Sequence, residues 1–311
     1  MNGQKTPESV KMTENMADVK KVSINTRPPS KNQTVYHLIE QTPDEIREQY
    51  ELEKELAGRL RRASSAERHR LYAQVYDEFY RRFPRHALIR RSSPELTRVA
   101  VEHQMRLLRP YLKSDTVFLE LGPGDCSLSL EVARHIRQVF AVDVSSEITA
   151  NTSAPPNFRL LLNDGFGIPV DTASVDVAYS TDFMEHLHPD DAIEQLGNVF
   201  SALKPGGVYI CVTPNQISGP HDISKNFDRI ATGLHLKEYS VTELSRLFRH
   251  AGFTNIRLRT GIKGHYANIP LFPAIWCESM LSLLTRPVVR KLASYSPVRQ
   301  LLAIIHLVAF K

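Results

Sequence analysis

Thr116-Val117-Phe118-Leu119-Glu120-Leu121-Gly122-Pro123-Gly124-Asp125-Cys126 decides how this chain is read. Its first half is an apolar run rich in β-branched and aromatic residues, the composition of a strand buried on both faces. Its second half sets two glycines two apart, where the backbone can turn through left-handed angles and come close to a ligand. A helical stretch to about residue 137 follows. A strand, a glycine turn and a helix open a parallel sheet, and ligands of such open sheets bind beyond the carboxyl ends of the strands.

Downstream the same alternation continues. Strands are expected at about 139–143, 158–162, 175–180, 208–213 and 253–258. Helices are expected at 190–203, stopped by Lys204-Pro205-Gly206-Gly207, and at 241–250, stopped by Gly252. The apolar run 301–310 reads as a seventh strand that closes the sheet. An insertion at about 261–300, rich in Pro, Leu and aromatics, reads as a helical lid over a substrate. Its Leu271, Phe272, Trp276, Met280, Leu281 and Leu284 are expected to be buried on the domain, with an apolar pocket lining as the alternative. The expected fold is α/β: a Rossmann-like, seven-stranded, mostly parallel sheet with helices on both faces, plus an N-terminal helical cap. The expected domains are a disordered leader at 1–35, the cap at 36–113 and the sheet domain at 114–311 with its insertion.

Upstream of the glycine turn, Thr42-Pro43-Asp44-Glu45 combines an N-cap, a first-turn proline and a capping-box glutamate. Ser64 and Glu67 form a second box, opening a helix with Leu71, Val75 and Phe79 on one line and Tyr72, Tyr76 and Tyr80 beside it. That stripe reads as core packing. Ser93-Pro94 opens a third helix. Between residues 57 and 113 there are fourteen Lys or Arg against five Asp or Glu, although the whole chain carries only +5. The basic residues are interleaved with apolar helical positions and read as a solvated helix face, with an RNA or anionic-membrane surface as the alternative.

Composition excludes several classes. With 42% hydrophobic and 23% charged residues among 311, the chain is not largely disordered. Three cysteines without a CxxC pair exclude a disulfide scaffold and a zinc ribbon. The first twenty residues lack the apolar core of a signal peptide, and ten apolar residues near the end are too few to cross a bilayer, so a cytoplasmic protein without a transmembrane segment is expected.

The turn also limits its ligand. Ser127, followed by Leu128, stands where a dinucleotide fingerprint wants its third glycine, and no GxxxxGK[ST] exists. Glu120 before the turn suits a cationic group better than a pyrophosphate. Asp143 ends the second strand nineteen residues after Gly124, where a carboxylate can accept both ribose hydroxyls. Asn163-Asp164-Gly165 ends the third.

In this order and spacing, these motifs resemble the class I S-adenosylmethionine-dependent methyltransferases, in particular the broad group of ubiquinone and menaquinone methyltransferases. The resemblance covers about 115–260 and the final strand. It includes ELGPGD, AVDVS, NDG, the segment Ser180-Thr181-Asp182-Phe183-Met184-Glu185-His186-Leu187 after the fourth strand, and LKPGGVYICVTPN at the fifth. It implies S-adenosyl-L-methionine as cofactor. Gly122, Gly124 and Asp125 would line its methionine part, Glu120 its ammonium side, Asp143 the ribose, and Asp164 and Gly165 the adenine. Thr181, Phe183 and His186 would border the transferring methyl. Cys126 replaces the third glycine usual in the first motif.

The sulfonium is already activated, so the protein must align the acceptor and, for a hydroxyl, remove its proton. His221, His186 and His235 follow the fourth and fifth strands and are the catalytic candidates, each with a structural reading beside it. The fourth strand does not end in the Asn-Pro-Pro-Tyr used on many DNA bases and amide nitrogens. No paired carboxylate-and-histidine spacing signals a metal, and none is expected. The resulting expectation is a methyltransferase acting on a small-molecule or lipid-like acceptor, at oxygen. The alternatives are an RNA methyltransferase docking through the arginine-rich helices and a non-catalytic interaction protein. The sequence leaves the oligomeric state open.

Overall fold

The computed structural model describes residues 41–84, 94–149, 154–262, 265–293 and 303–311. The leader expected at 1–35, Ser93, and Arg90 and Arg91 of the basic region lie outside them. Three helices come first: α1 (Pro43–Arg62), α2 (Ser65–Arg82) and α3 (Pro94–Leu108). Both capping boxes form. Thr42 Oγ1 accepts the Glu45 amide at 3.2 Å while Glu45 accepts the Thr42 amide at 2.8 Å, and Glu67 accepts the Ser64 amide at 2.8 Å.

The sheet follows: β1 (Val117–Leu121), α4 (Ser127–Ala133), β2 (Gln138–Asp143), the one-turn α5 (Ser146–Thr149), β3 (Phe158–Leu162), β4 (Val175–Thr181), α6 (Pro189–Ala202) and β5 (Leu203–Pro214). Next come α7 (Val241–His250), β6 (Asn255–Ile262), β7 (His265–Ile269), α8 (Phe272–Leu281), α9 (Arg286–Ala293) and β8 (Ile304–Phe310). Their spatial order is β3-β2-β1-β4-β5-β8-β6-β7. The first five strands pair in parallel, and β8 runs antiparallel between β5 and β6.

Among the described residues the sheet therefore has eight strands rather than the seven expected. The insertion begins as a strand: β6 runs on to Ile262, and β7 returns antiparallel with Leu258 opposite Ile269. The period-2 signal there is only five residues long and sits beside longer helical runs. It also covers the outer edge of β6, which would otherwise present unpaired backbone groups.

Register brings the functional ends together. Leu121 lies opposite Val142 on one side and Ser180 on the other, and Thr181 lies opposite Val212. The carboxyl ends of β1, β2, β4 and β5 thus open at one rim. The cap is seated against that rim: Leu56, Leu60, Tyr72, Val75 and Phe79 share one apolar cluster with Val142, Ile148, Phe166 and Met184. A buried fork joins it to α6, with Arg68 Nε and Nη2 each donating to Asp191 at 2.6 Å and Tyr72 Oη donating to Asp191 Oδ2 at 2.8 Å. No helix among the described residues is long and apolar enough to cross a membrane.

Candidate active site

The glycine turn is built from alternating left-handed residues, Gly122 (φ +64°), Gly124 (φ +54°) and Cys126 (φ +60°). At Gly122 an added Cβ would come within 2.8 Å of the Phe183 ring. At Gly124 it would meet only Ile148, at 3.9 Å, so the backbone there borders open space. Cys126 takes the left-handed angle without being glycine, and its side chain is fully buried. The bend that starts α4 is held by Asp125, which accepts the Ser127 amide at 3.0 Å.

Carboxylates surround this turn. Glu120 is buried and accepts from Ser129 Oγ. Burial, with Asp125 and Asp143 nearby, pushes its carboxyl up to about 8. Asp143 ends β2, and burial pushes it up to about 6 against the amides of Ser145, Val144 and Gly124. A buried acid raised by two neighbouring acids is a field a cationic ligand relieves. A sulfonium compound with an ammonium group, entering over the open face of Gly124, fits this donor set.

Asp164 sits beyond β3. Burial raises its carboxyl, but the amides of Phe166 and Gly167 and the His69 ring together outweigh that and hold it below the usual range. Gly165 (φ +92°) has no room for a side chain, since an added Cβ would meet Val144 at 3.2 Å and Tyr72 at 3.3 Å.

Helix α2 forms a wall of this half, which the sequence reading did not anticipate. His69 stacks on Phe166 with centroids 3.6 Å apart, and its Nδ1 lies 3.2 Å from Asp164 Oδ2. Ser145 Oγ donates to Asp77 at 2.7 Å. The aromatic stripe of α2 was read as core alone. It is core, but its Tyr72 and Tyr76 edges also face the site loops.

At the other half, β4 ends at Thr181, Asp182 takes a left-handed angle (φ +49°), and Met184–His186 forms a 3-10 turn. The structure brings all three candidate histidines to this corner. His186 Nδ1 lies 3.1 Å from the Leu234 carbonyl, and its ring meets that of His235 edge-on with centroids 4.9 Å apart. His235 Nδ1 pairs with Glu238 Oε1 at 2.9 Å, and the same oxygen accepts the His221 amide at 2.6 Å. His221 Nε2 lies 3.0 Å from the Asn215 carbonyl. Burial lowers the His221 pKa. Burial also pulls His235 down, but the Glu238 bond and the Glu185 and Asp222 charges outweigh it and push it up to about 9.

Glu185, Tyr76 and Glu238 were missed. Glu185 is fully buried; its Oε2 accepts from Thr213 Oγ1 at 2.8 Å, while its Oε1 finds no hydrogen-bond partner among the described residues. Tyr76 Oη is likewise buried and unpartnered among them, and its ring meets His186 edge-on at 5.9 Å. One ligand atom from each of Glu185, His186 and His235 lies within 4.8 Å of the other two, a grouping able to hold a metal ion. The linear sequence offered only the Glu185-His186 tandem as a signal, because His235 arrives from a separate loop.

The insertion departs from its expected burial. Leu271 is buried and Leu281 half-buried, but Phe272 (72% exposed), Trp276 (58%), Met280 and Leu284 are open. α8 is held by Ala274 in the apolar cluster and by a polar anchor: Glu278 accepts from the Val241 amide at 2.7 Å and from Asn215 Nδ2 at 3.0 Å. Several arginines of the basic region are also committed. Arg59 pairs with Glu78 at 2.7 Å, Arg61 donates to the Thr232, Gly233 and His235 carbonyls, and Arg68 is in the fork.

A family model described as a methyltransferase domain matches residues 76–258, more than half of the chain. A protein of Mycolicibacterium smegmatis named as a probable S-adenosylmethionine-dependent methyltransferase is 30% identical over 136 residues, which cover 43% of this chain and 51% of that relative. The match thus spans about half of that protein's length. Among solved structures, an S-adenosylmethionine-dependent methyltransferase from Archaeoglobus fulgidus shares 20% identity at a TM-score of 0.46, covering 76% of this chain and 99% of the other. A phosphoethanolamine N-methyltransferase of Haemonchus contortus, solved with phosphomonomethylethanolamine and S-adenosylhomocysteine, shares 15% identity at 0.47, covering 68% and 52%. At these identities and scores, the structural likenesses bear on neither substrate nor partner. The matched description is the general domain and does not narrow to the ubiquinone and menaquinone group.

Proposed function

The chain belongs to the methyltransferase-domain family, and from that premise we propose that it transfers a methyl group from S-adenosylmethionine to an oxygen of a small-molecule or lipid-like acceptor. The observation that carries this reading is the convergence of His186, His235 and His221 with Glu185 and Glu238 at the rim of β4 and β5. The turn segment that bears His186 also presses Phe183 onto Gly122 of the cofactor turn.

The bound cofactor supplies a methyl already activated by positive sulfur. Gly122, Gly124 and Asp125 would hold its methionine part, Glu120 its ammonium side, Asp143 its ribose, and Asp164 with Gly165 its adenine, with His69 and Tyr72 as the wall behind. Thr181 and Phe183 border the methyl. His221 is the proton acceptor for the hydroxyl. Burial favours its neutral ring, and a carbonyl opposite Nε2 must receive a hydrogen, so Nδ1 is the basic atom. The committed arginines leave fewer guanidinium groups for a phosphate backbone, which favours a small acceptor over RNA.

The test incubates the purified protein with methyl-labelled S-adenosylmethionine and an extract of the source cells, then separates RNA, protein, lipid and small polar fractions. Label in the lipid or small-molecule fraction, lost in His221→Ala, is expected. Label in RNA overturns the acceptor class. Label that survives His221→Ala removes His221 as the base. Absence of cofactor binding sinks the enzyme reading.

A further inference from the structure

We propose that Glu185, His186 and His235 bind a divalent transition-metal ion at the acceptor end of the cleft, with coordination positions left for an oxygen of the acceptor. The ligand atoms come from two separate elements, the 3-10 turn after β4 and the loop before α7, and lie within 4.8 Å of one another. Metal bonds of about 2.0–2.2 Å set ligand atoms of a four-coordinate site about 3.5 Å apart. Closing the cluster therefore takes about an ångström of side-chain movement and no change of fold.

Three further observations point to a cation. The first is Glu185 Oε1, a buried carboxylate oxygen with no partner among the described residues. Buried orphan acceptors are costly and rare, and a metal ligand is one of the few roles that satisfies them. The second is the supporting layer. The Leu234 carbonyl faces His186 Nδ1 and the Glu238 carboxylate faces His235 Nδ1, which places the lone pair of each neutral ring on Nε2. Thr213 holds the other Glu185 oxygen. Metal-binding histidines and carboxylates are held in this way by a second layer of hydrogen bonds. The third is a further acid beside the ligands: the buried Glu238 carboxylate stands 2.9 Å behind His235, so negative charge sits next to the corner.

Two imidazoles and one carboxylate form a mixed set suited to borderline ions such as Mn2+, Co2+ and Zn2+ rather than to Mg2+ or Ca2+, which favour all-oxygen shells. With three protein ligands the site stays open. An acceptor oxygen in the open position would have its proton acidified by the ion before His221 takes it. The implied acceptor class is an alcohol, phenol or enol whose oxygen can ligate a metal. This last step rests on the methyl-transfer reading; the ion site itself does not.

Cobalt(II) titrated into the full-length, chelator-treated protein at mildly alkaline pH, followed by visible absorption and calorimetry, tests the site. S-adenosylmethionine binding is measured on the same samples. One equivalent of Co2+ with d–d bands is expected. Affinity should fall at least a hundredfold in Glu185→Gln and in His235→Gln, and about tenfold in Glu238→Gln, which removes the charge behind His235 while keeping an oxygen for the His235 ring and the His221 amide. Retained cofactor binding certifies the fold of each variant; if Glu185→Gln does not fold, His186→Gln takes its place. Cofactor binding without Co2+ binding overturns the proposal, as does Co2+ binding that both ligand variants leave unchanged. Co2+ binding without cofactor binding keeps the ion site and removes the methyl-transfer reading instead.

Discussion

The Arg68–Asp191 fork is what seats α2 on the sheet, and its removal should cost both stability and cofactor binding. The two side chains keep 4% and 2% exposure, and each guanidinium-to-carboxylate contact is 2.6 Å. Removing one partner strands the other charge in a dry interior, at a cost of about 3–5 kcal/mol. For a chain of this size that lowers the melting temperature by about 10 °C. Replacing both partners by apolar residues, Arg68→Met with Asp191→Leu, leaves no stranded charge. It leaves Tyr72 Oη without its acceptor and the Ala63 carbonyl without the Arg68 Nη1 donor, a loss of about 2 kcal/mol together. The double variant should therefore be more stable than the single Asp191→Leu by about 2 kcal/mol. Thermal unfolding by circular dichroism gives the cycle. Calorimetry with S-adenosylmethionine gives the functional half, since α2 carries His69 and Tyr72 to the Asp164–Gly165 loop. A single Asp191→Leu that costs under 1 kcal/mol, or a double variant no better than the single, would refute this account of how the cap is held.

Further outcomes follow from the same geometry. Asp143 has a folded pKa of about 6 against an ordinary 3.8, so the native state holds the extra proton; its burial weakens the fold as pH rises through 6 and is relieved as pH falls. Asp143→Asn should thus stabilise the fold more at pH 7.5 than at pH 4.5, by about 2 kcal/mol, read as a larger rise in melting temperature, while weakening cofactor affinity at least tenfold; a pH-independent gain would count against the burial argument. Gly122→Ala should lose about 1–2 kcal/mol to its left-handed angle and displace Phe183, seen as reduced stability together with lost cofactor binding in calorimetry. Cys126→Gly should fall within about 1 kcal/mol of the native protein because backbone relief offsets lost packing, whereas Cys126→Val should destabilise by more than 2 kcal/mol in urea unfolding. Charge reversal at exposed Arg81 and Arg82 should leave turnover and its salt dependence unchanged, and a steep change would revive the RNA reading.

The cofactor half was legible because it is local. ELGPGD lies within a single strand–turn–helix unit, and its chemistry depends on backbone angles that glycine identity announces. Asp143 and Asp164 end strands of a parallel ladder, so once the strands are counted their position at the rim follows from topology. Cys126 shows the limit of this logic: its place in the turn was evident, but a non-glycine residue at φ +60° was not. The eighth strand was obscured because a five-residue alternation competed with stronger helical runs on either side. The exposed Phe272 and Trp276 were misjudged because α8 is apolar on every side, so periodicity could not say which face would be covered.

The acceptor half was only partly legible, for a reason that also bears on its chemistry. His186 comes from the end of β4, His221 and His235 from a long connection after β5, and Tyr76 from α2, more than a hundred residues earlier. No spacing rule joins them; the sheet register and the Arg68–Asp191 fork do. Glu185 stood inside the segment after the fourth strand with no role of its own, and burial with an oxygen unpartnered among the described residues is what distinguishes it. A corner assembled from three chain segments can change its side chains without disturbing the glycine turn, which is held by one. The cofactor machinery can therefore stay fixed while the acceptor corner is rebuilt for a different nucleophile. On the proposed reading, the acceptor would be chosen by side chains drawn from all three segments, Tyr76, Glu185, His235 and Glu238 among them, of which Tyr76 and Glu238 carry no mark in any linear motif.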